Sequence, residues 1–201
     1  LDLKKSKRPV LLIGGGVQNA EAINELHELG KILKIPMFPT WNALDVVTSD
    51  YDYYCGRIGT YGGAGRNFGV QNSDLLISIG SRISGRITGG NVKTFARKAK
   101  KYMIDVDPGV LKKEFQQVPF DENINCDAKI FINKFKDFLV QKKYVADKKN
   151  SDWLKKCLEW KKIYDPVKSE YYKNSNTVQP YAFIRELSKK MKDKDIFVAD
   201  C

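Results

Sequence analysis

The sequence predicts an α/β fold, a doubly wound parallel sheet with helices on both faces. Three observations point there. Apolar runs, PVLLI at 9–13, LLISI at 75–79 and the KYMIDV segment at 101–106, recur with room for a helix between them. The run DLLISIG is apolar throughout rather than alternating, as in a strand buried on both faces. Ten of the fifteen glycines and four of the seven arginines fall between Gly56 and Gly90. Glycines there allow sharp turns and close approach of backbone to a ligand.

The elements follow in order. Residues 9–13 form a strand and Gly14-Gly15-Gly16 its turn. Asn19 caps a helix running to about Lys34, with Ala22, Ile23, Leu26, Leu29 and Leu33 at helical spacing. A second strand spans 35–38, then a loop carries Thr40, Trp41 and Asn42. Residues 56–65 are loop and 67–73 a short helix. A third strand covers 75–79, a helix 94–99 and a fourth strand 101–106, ended by Asp107-Pro108. A short strand at 123–124 precedes a helix from Asp127 to about Gln141. Beyond Val145 come a helix rich in Trp and Lys (151–164), a polar stretch (165–176), an amphipathic helix (179–191) and a strand (195–199). A strand that stops at Asp200-Cys201 without a downstream partner reads as a piece of a larger protein. Trp153, Trp160, Tyr164, Tyr171 and Tyr172 read as a segment packing along another domain.

Length and composition narrow the function. A chain of 201 residues holds one large domain, or one domain and part of another. No run of about 18 apolar residues occurs, so no membrane span is expected. The basic start LDLKKSKRPVLLIGGG has too short an apolar run for a signal peptide and no small-residue cleavage site. Cys55, Cys126, Cys157 and Cys201 are scattered without CxxC spacing, so neither metal nor disulfide is expected and a reducing cytoplasm fits. The net charge of +11 resides mainly beyond residue 92, where 23 of the 28 lysines lie among acids on helix faces. That is a solvated surface; no nucleic-acid module accompanies it.

The residues that carry chemistry sit just past strand ends. Gly14-Gly15-Gly16-Val17-Gln18-Asn19 follows a strand and opens a helix, a place suited to an anion but equally to a purely structural turn. Gly80-Ser81-Arg82-Ile83-Ser84-Gly85-Arg86 follows the third strand, where open sheets bind ligands. Arginine's planar fork matches phosphate, although either guanidinium could instead hold a loop through a carboxylate. Asp105, near the end of the next strand, suits ribose hydroxyls or a loop cap. His27, the only histidine, falls mid-helix on an expected surface face. No Ser/His/Asp set, metal cluster or P-loop appears, and Asp45, Asp50 and Asp52 read as loop acids.

Taken together and in order, these segments resemble one family over essentially the whole chain. RPVLLIGGGV, IPMFPTWNALD, GTYGGAGRNFGVQNSDLLISIGSRISGRITG, KYMIDVDPGVL and INCDA are similar to the central domain of thiamine-diphosphate enzymes of the acetolactate synthase type. The resemblance implies a Rossmann-like, six-stranded central domain at 1–144, a linker at 145–176, and the opening of the thiamine-diphosphate-binding domain at 177–201. It implies a parent transferase of branched-chain amino acid biosynthesis that decarboxylates a 2-keto acid such as pyruvate and passes on the two-carbon unit. The activating glutamate, and the thiamine diphosphate and Mg²⁺ site, would belong to N- and C-terminal domains outside this chain, which by itself would be inactive. The parent is expected to be a homo-oligomer. The family's central site holds FAD in a structural role, or ADP, or nothing. Carried over, its contacts fall on Gly14, Gly15, Thr40, Trp41, Thr60, Tyr61, Gly80, Ser81, Arg82, Arg86, Asp105, Val106 and Asp127. The chain departs from the family pattern in Thr60-Tyr61 for a Met-His pair, Ser84 for an aspartate and Cys126 for a glycine. Two further readings stay open: a related decarboxylase or lyase with ADP or an empty central site, and a non-catalytic nucleotide-binding regulatory module.

Overall fold

Strand β1 (Pro9–Ile13) is buried along its entire length and lies inside a five-stranded, all-parallel sheet of order β2-β1-β3-β4-β5. The computed structural model describes residues 2–173 and 176–198. Residues 1–164 make one compact unit and residues 165–201 a second.

In the first unit, α1 (Asp2–Lys5) precedes β1, and α2 (Gly16–Asn19) and α3 (Ile23–Leu33) follow it. Then come β2 (Met37–Pro39), α4 (Ala64–Gln71), β3 (Leu75–Ile79), α5 (Gly85–Thr88), β4 (Lys100–Asp105), β5 (Glu122–Asn125), α6 (Ala128–Gln141) and α7 (Lys148–Ile163). The period of two along each strand divides the core into two layers. Leu11, Ile13, Ile77 and Ile79 pack with Leu26, Leu29 and Leu33 of α3 and Ile132 and Leu139 of α6. Val10, Leu12, Leu76 and Met103 face Val70 of α4 and Trp153 and Cys157 of α7. Helices therefore cover both faces, which is the doubly wound arrangement the sequence predicts.

Several expectations are corrected. The sheet has five strands among the described residues, not six. Beside β2, at the edge of the sheet, the loop at 53–55 makes a single parallel bridge, Met37 to Tyr54. The helix expected from Asn19 splits, because Glu21 adopts a left-handed φ of 51° that an α-helix cannot accommodate. Asn19 instead ends α2, and α3 begins at Ile23. The helix expected at 94–99 is a 3₁₀ turn, Val92–Thr94. Ala96 has φ 42° and its amide is held by Gln71 Oε1 at 3.0 Å. His27 is half-buried, donates from Nε2 to the Val46 carbonyl at 2.8 Å and stacks on Tyr51. The tryptophan-rich helix packs within this same unit. Trp160 meets Phe68 of α4 edge-on, with ring centroids 5.8 Å apart, and Gly65 of α4 abuts the Trp160 carbonyl.

The second unit contains a 3₁₀ turn, Ser169–Tyr172, and α8 (Pro180–Lys190), which opens with proline in its first turn. Arg185 pairs with Asp165 at 2.6 Å and the Tyr172 hydroxyl donates to Glu186 at 2.9 Å. The strand expected at 195–199 does not form across 195–198, and Ala199, Asp200 and Cys201 lie outside the described residues. A strand needs a neighbour for its N–H and C=O groups, and this unit offers no other strand among its described residues.

Candidate nucleotide site at the carboxyl ends of the strands

The turns after β1, β2, β3 and β4 meet along one edge of the sheet. The Gly14 amide donates to Ile79 O at 2.9 Å, Gly16 to Gly80 O at 3.0 Å, Thr40 to Ile13 O at 2.8 Å and Gly80 to Ile104 O at 2.9 Å. These bonds carry the parallel ladder past the strand ends and hold Gly14, Gly15, Thr40 and Gly80 side by side. Gly80 has φ +64°, so the chain reverses direction there with no side-chain penalty. Ser81 is buried, and its hydroxyl accepts weakly from the Ile83 amide at 3.4 Å.

The arginine loop is shaped by Ile83. This β-branched residue is 3 % exposed and sits at φ +48°, a conformation rare for its type. Its side chain anchors the loop in the core, while Arg82, Ser84 and Arg86 stand in solvent. Arg82 approaches Asp107 at 3.7 Å, but its side chain is 75 % exposed, so the tether is loose. Arg86 has no side-chain partner among the described residues. Its carbonyl accepts from the Thr60 amide at 2.8 Å and the Thr60 hydroxyl at 3.2 Å, which fastens the glycine loop to α5. Tyr61 next to it is 79 % exposed.

The acidic side of the edge is more ordered. Asp105 is 8 % exposed and accepts the Asp107 amide at 3.0 Å through Oδ1. Exposed Val106 gives its carbonyl to Asn125 Nδ2 at 2.9 Å. Asp127 caps α6, with Oδ1 accepting from Lys129 and Ile130 amides at 2.9 and 3.1 Å.

Sequence reasoning missed one pairing. The Arg57 guanidinium lies 4.5 Å over the ring of Trp41, which is 55 % exposed. Arg57 belongs to the glycine-rich stretch, but nothing in its spacing tells which way that loop folds. A cavity of about 60 Å³ between the glycine loop and α5, lined by Thr60, Asn67 and Thr88, has room for water and not for a nucleotide. A ligand here would lie across the open edge. Its donors and charges run from Trp41 and Arg57 past Arg82 and Arg86 to Asp105. Separated guanidinium groups flanked by an acid suit an extended anion with a sugar, so the residues present fit a dinucleotide.

Comparison with known proteins decides the family. Residues 2–135 match the thiamine pyrophosphate enzyme central domain. The chain belongs to that family. It is also 34 % identical over 200 residues to a probable acetolactate synthase large subunit of Methanococcus aeolicus, covering 96 % of this chain and 32 % of that protein. The corresponding probable large subunit of Methanocaldococcus jannaschii is 32 % identical over 193 residues, 96 % of this chain and 31 % of that one. The acetolactate synthase isozyme 2 large subunit of Escherichia coli is 40 % identical over 111 residues, 55 % of this chain and 20 % of its own length. This is a central domain of the acetolactate synthase type, and the chain spans about a third of the length of the first two relatives.

Proposed function

We propose that this chain is the central part of an acetolactate synthase-like enzyme that decarboxylates a 2-keto acid such as pyruvate and transfers the two-carbon unit. The observation that carries the reading is the match to large subunits across nearly all of this chain. Residues 1–144 are assigned to the central domain, 145–176 to a linker whose helix α7 packs back on that domain, and 177–201 to the start of a thiamine-diphosphate-binding domain. Thiamine diphosphate and Mg²⁺ are then held by other domains of a longer, homo-oligomeric polypeptide, and cysteine usage supports a cytoplasmic location. No catalytic residue is assigned within this chain.

FAD is the ligand the open edge supports best, bound for structure and not for redox work. Arg82 and Arg86 would hold its diphosphate beside the Gly14-Gly15 turn, and Ser81 and the Gly80 backbone would line that stretch. Asp105 would take a ribose hydroxyl, with Val106 and Asp127 beyond it. Trp41, Thr40, Thr60 and Tyr61 would border the flavin half. A related decarboxylase or lyase with ADP or an empty site is the second reading. It is favoured by Thr60, whose amide and hydroxyl are both spent on the Arg86 carbonyl.

Calorimetric titration of the 201-residue chain with FAD and with ADP tests the site. FAD binding tighter than ADP supports the first reading; ADP binding alone supports the second. No binding of either at millimolar concentration overturns the nucleotide site. Pyruvate turnover by this chain with thiamine diphosphate and Mg²⁺ would overturn the assignment of catalysis to other domains.

A further inference from the structure

A second cavity, of about 270 Å³, opens at the opposite end of the sheet. Arg8 enters it from just before β1, Ser73 from before β3, and Arg97 and Lys98 from before β4; Trp153 and Trp160 of α7 form its wall. Its lining contains three cations and no acid. Asp74, next to Ser73 of the lining, accepts from the Ser6 hydroxyl and the Lys7 and Arg8 amides and also faces the Arg8 charge.

The cavity is rich in unspent donors. Arg97 and Lys98 are exposed and have no hydrogen-bond or ion-pair partner among the described residues. Arg8 spends Nε on the Asn72 carbonyl at 2.6 Å, which leaves its terminal nitrogens. Gln71 uses its Oε1 on the Ala96 amide, which leaves its amide N–H groups. Trp153 is 7 % exposed, and its buried indole N–H has no partner among the described residues, a state that costs stability unless something accepts from it. The acceptors that the end of α4 would turn toward an anion are largely covered. Phe68 O takes the Asn72 amide and side chain, and Val70 O takes the Ser73 amide and hydroxyl.

We propose that this cavity binds a small organic phosphate with a planar ring. Two guanidinium forks and an ammonium match a phosphate dianion better than a single carboxylate. The volume exceeds what bare phosphate needs, yet falls just under the roughly 300–1,000 Å³ of drug-sized sites. Trp160, packed edge-on against Trp153 with centroids 5.7 Å apart, offers the apolar wall a ring requires. The site is separate from the Arg82 edge and does not depend on the nucleotide reading.

The test titrates the 201-residue chain with phenyl phosphate, inorganic phosphate and phenol, followed by calorimetry and indole fluorescence. Phenyl phosphate is expected to bind at least about tenfold tighter than either half and to change the fluorescence. Arg97→Ala and Lys98→Ala should each weaken it about tenfold with the circular dichroism unchanged, since neither side chain supports the fold. Trp153→Phe, which keeps an aromatic side chain but removes the N–H and part of the indole's bulk, should weaken it severalfold, and Arg82→Ala should leave it unchanged. Equal affinity in wild type and the Arg97→Ala/Lys98→Ala double variant would overturn the site. So would inorganic phosphate binding as tightly as phenyl phosphate, or a loss of binding in Arg82→Ala.

Discussion

Gly14 and Gly80 pack backbone to backbone, so that a Cβ built on Gly14 would stand 2.0 Å from the Gly80 carbonyl oxygen. The glycines after β1 and β3 are thus required first by each other. Only once the two turns are pressed together does the edge beside the arginine loop take its shape.

Gly14→Ala should therefore destabilise the chain by about 1–3 kcal/mol, the usual cost of overpacking a rigid contact. Gly80→Ala should cost at least as much, because its Cβ would meet Gly16 Cα at 2.8 Å and its φ is +64°. Gly85→Ala, with its nearest neighbour at 3.6 Å, should leave stability unchanged. Urea unfolding midpoints measure all three, and a tolerated Gly14→Ala would show that the turns can separate.

Arg82→Ala should weaken FAD or ADP binding at least about tenfold, since a charge-assisted hydrogen bond is worth about 1.5–3 kcal/mol. Its side chain is 75 % exposed and its ion pair with Asp107 is 3.7 Å long, so the unfolding midpoint should not move. Asp107→Asn removes the competing carboxylate and should tighten binding a few-fold. Unchanged affinity in Arg82→Ala would make the arginine a loop tether.

Asp74 ties the segment before β1 to the start of β3. Burial opposes its charge, but the Ser6 hydroxyl, the Lys7 and Arg8 amides and the Arg8 guanidinium outweigh burial and hold its pKa below the usual aspartate range. A carboxyl group with a lowered folded-state pKa contributes stability above its unfolded value, near 3.8, and loses that contribution as pH falls through the folded value. Asp74→Asn should cost about 1–2 kcal/mol at pH 7. The difference in melting temperature from wild type should shrink as pH drops below about 4. A gap that stays constant down to pH 2 would rule out the carboxylate as its source.

Helix α7 supplies Trp153 and Cys157 to the layer that contains Val10, Leu12 and Phe38. A chain ending at residue 144 should consequently be less stable than one ending at 164, and Trp153→Ala should cost about 3–5 kcal/mol. Limited proteolysis should cut first between 165 and 179 and spare 148–163. Early cleavage inside α7 would contradict its place in the core.

Cys157 and Cys55 are both buried as free thiols. Hydrogen bonding to Cys55, then burial, pushes the Cys157 thiol well above its ordinary range. Because the thiolate is the reactive form, a thiol reagent at pH 8 should leave Cys157 unmodified until the chain is unfolded in denaturant. Modification of the folded chain, located by mass spectrometry, would show that α7 opens.

Much of this protein was legible from local pattern. Three apolar runs, the glycines behind them and an arginine pair past β3 imposed the α/β order, because a strand buried on both faces and a turn at its carboxyl end leave residue signatures within a few positions. The helix expected from Asp127 to about Gln141 was legible for the same local reason, and the structure adds that Asp127 is its cap. What only the tertiary structure decided depends on contacts between distant residues. Arg57 finds Trp41 across a folded loop, Ile83 accepts an unfavourable φ because its side chain gains burial, and α7 covers the sheet because Gly65 lets the Trp160 backbone approach. The segment 195–198 has strand composition and forms none among its described residues, since a strand exists only through the neighbour it pairs with.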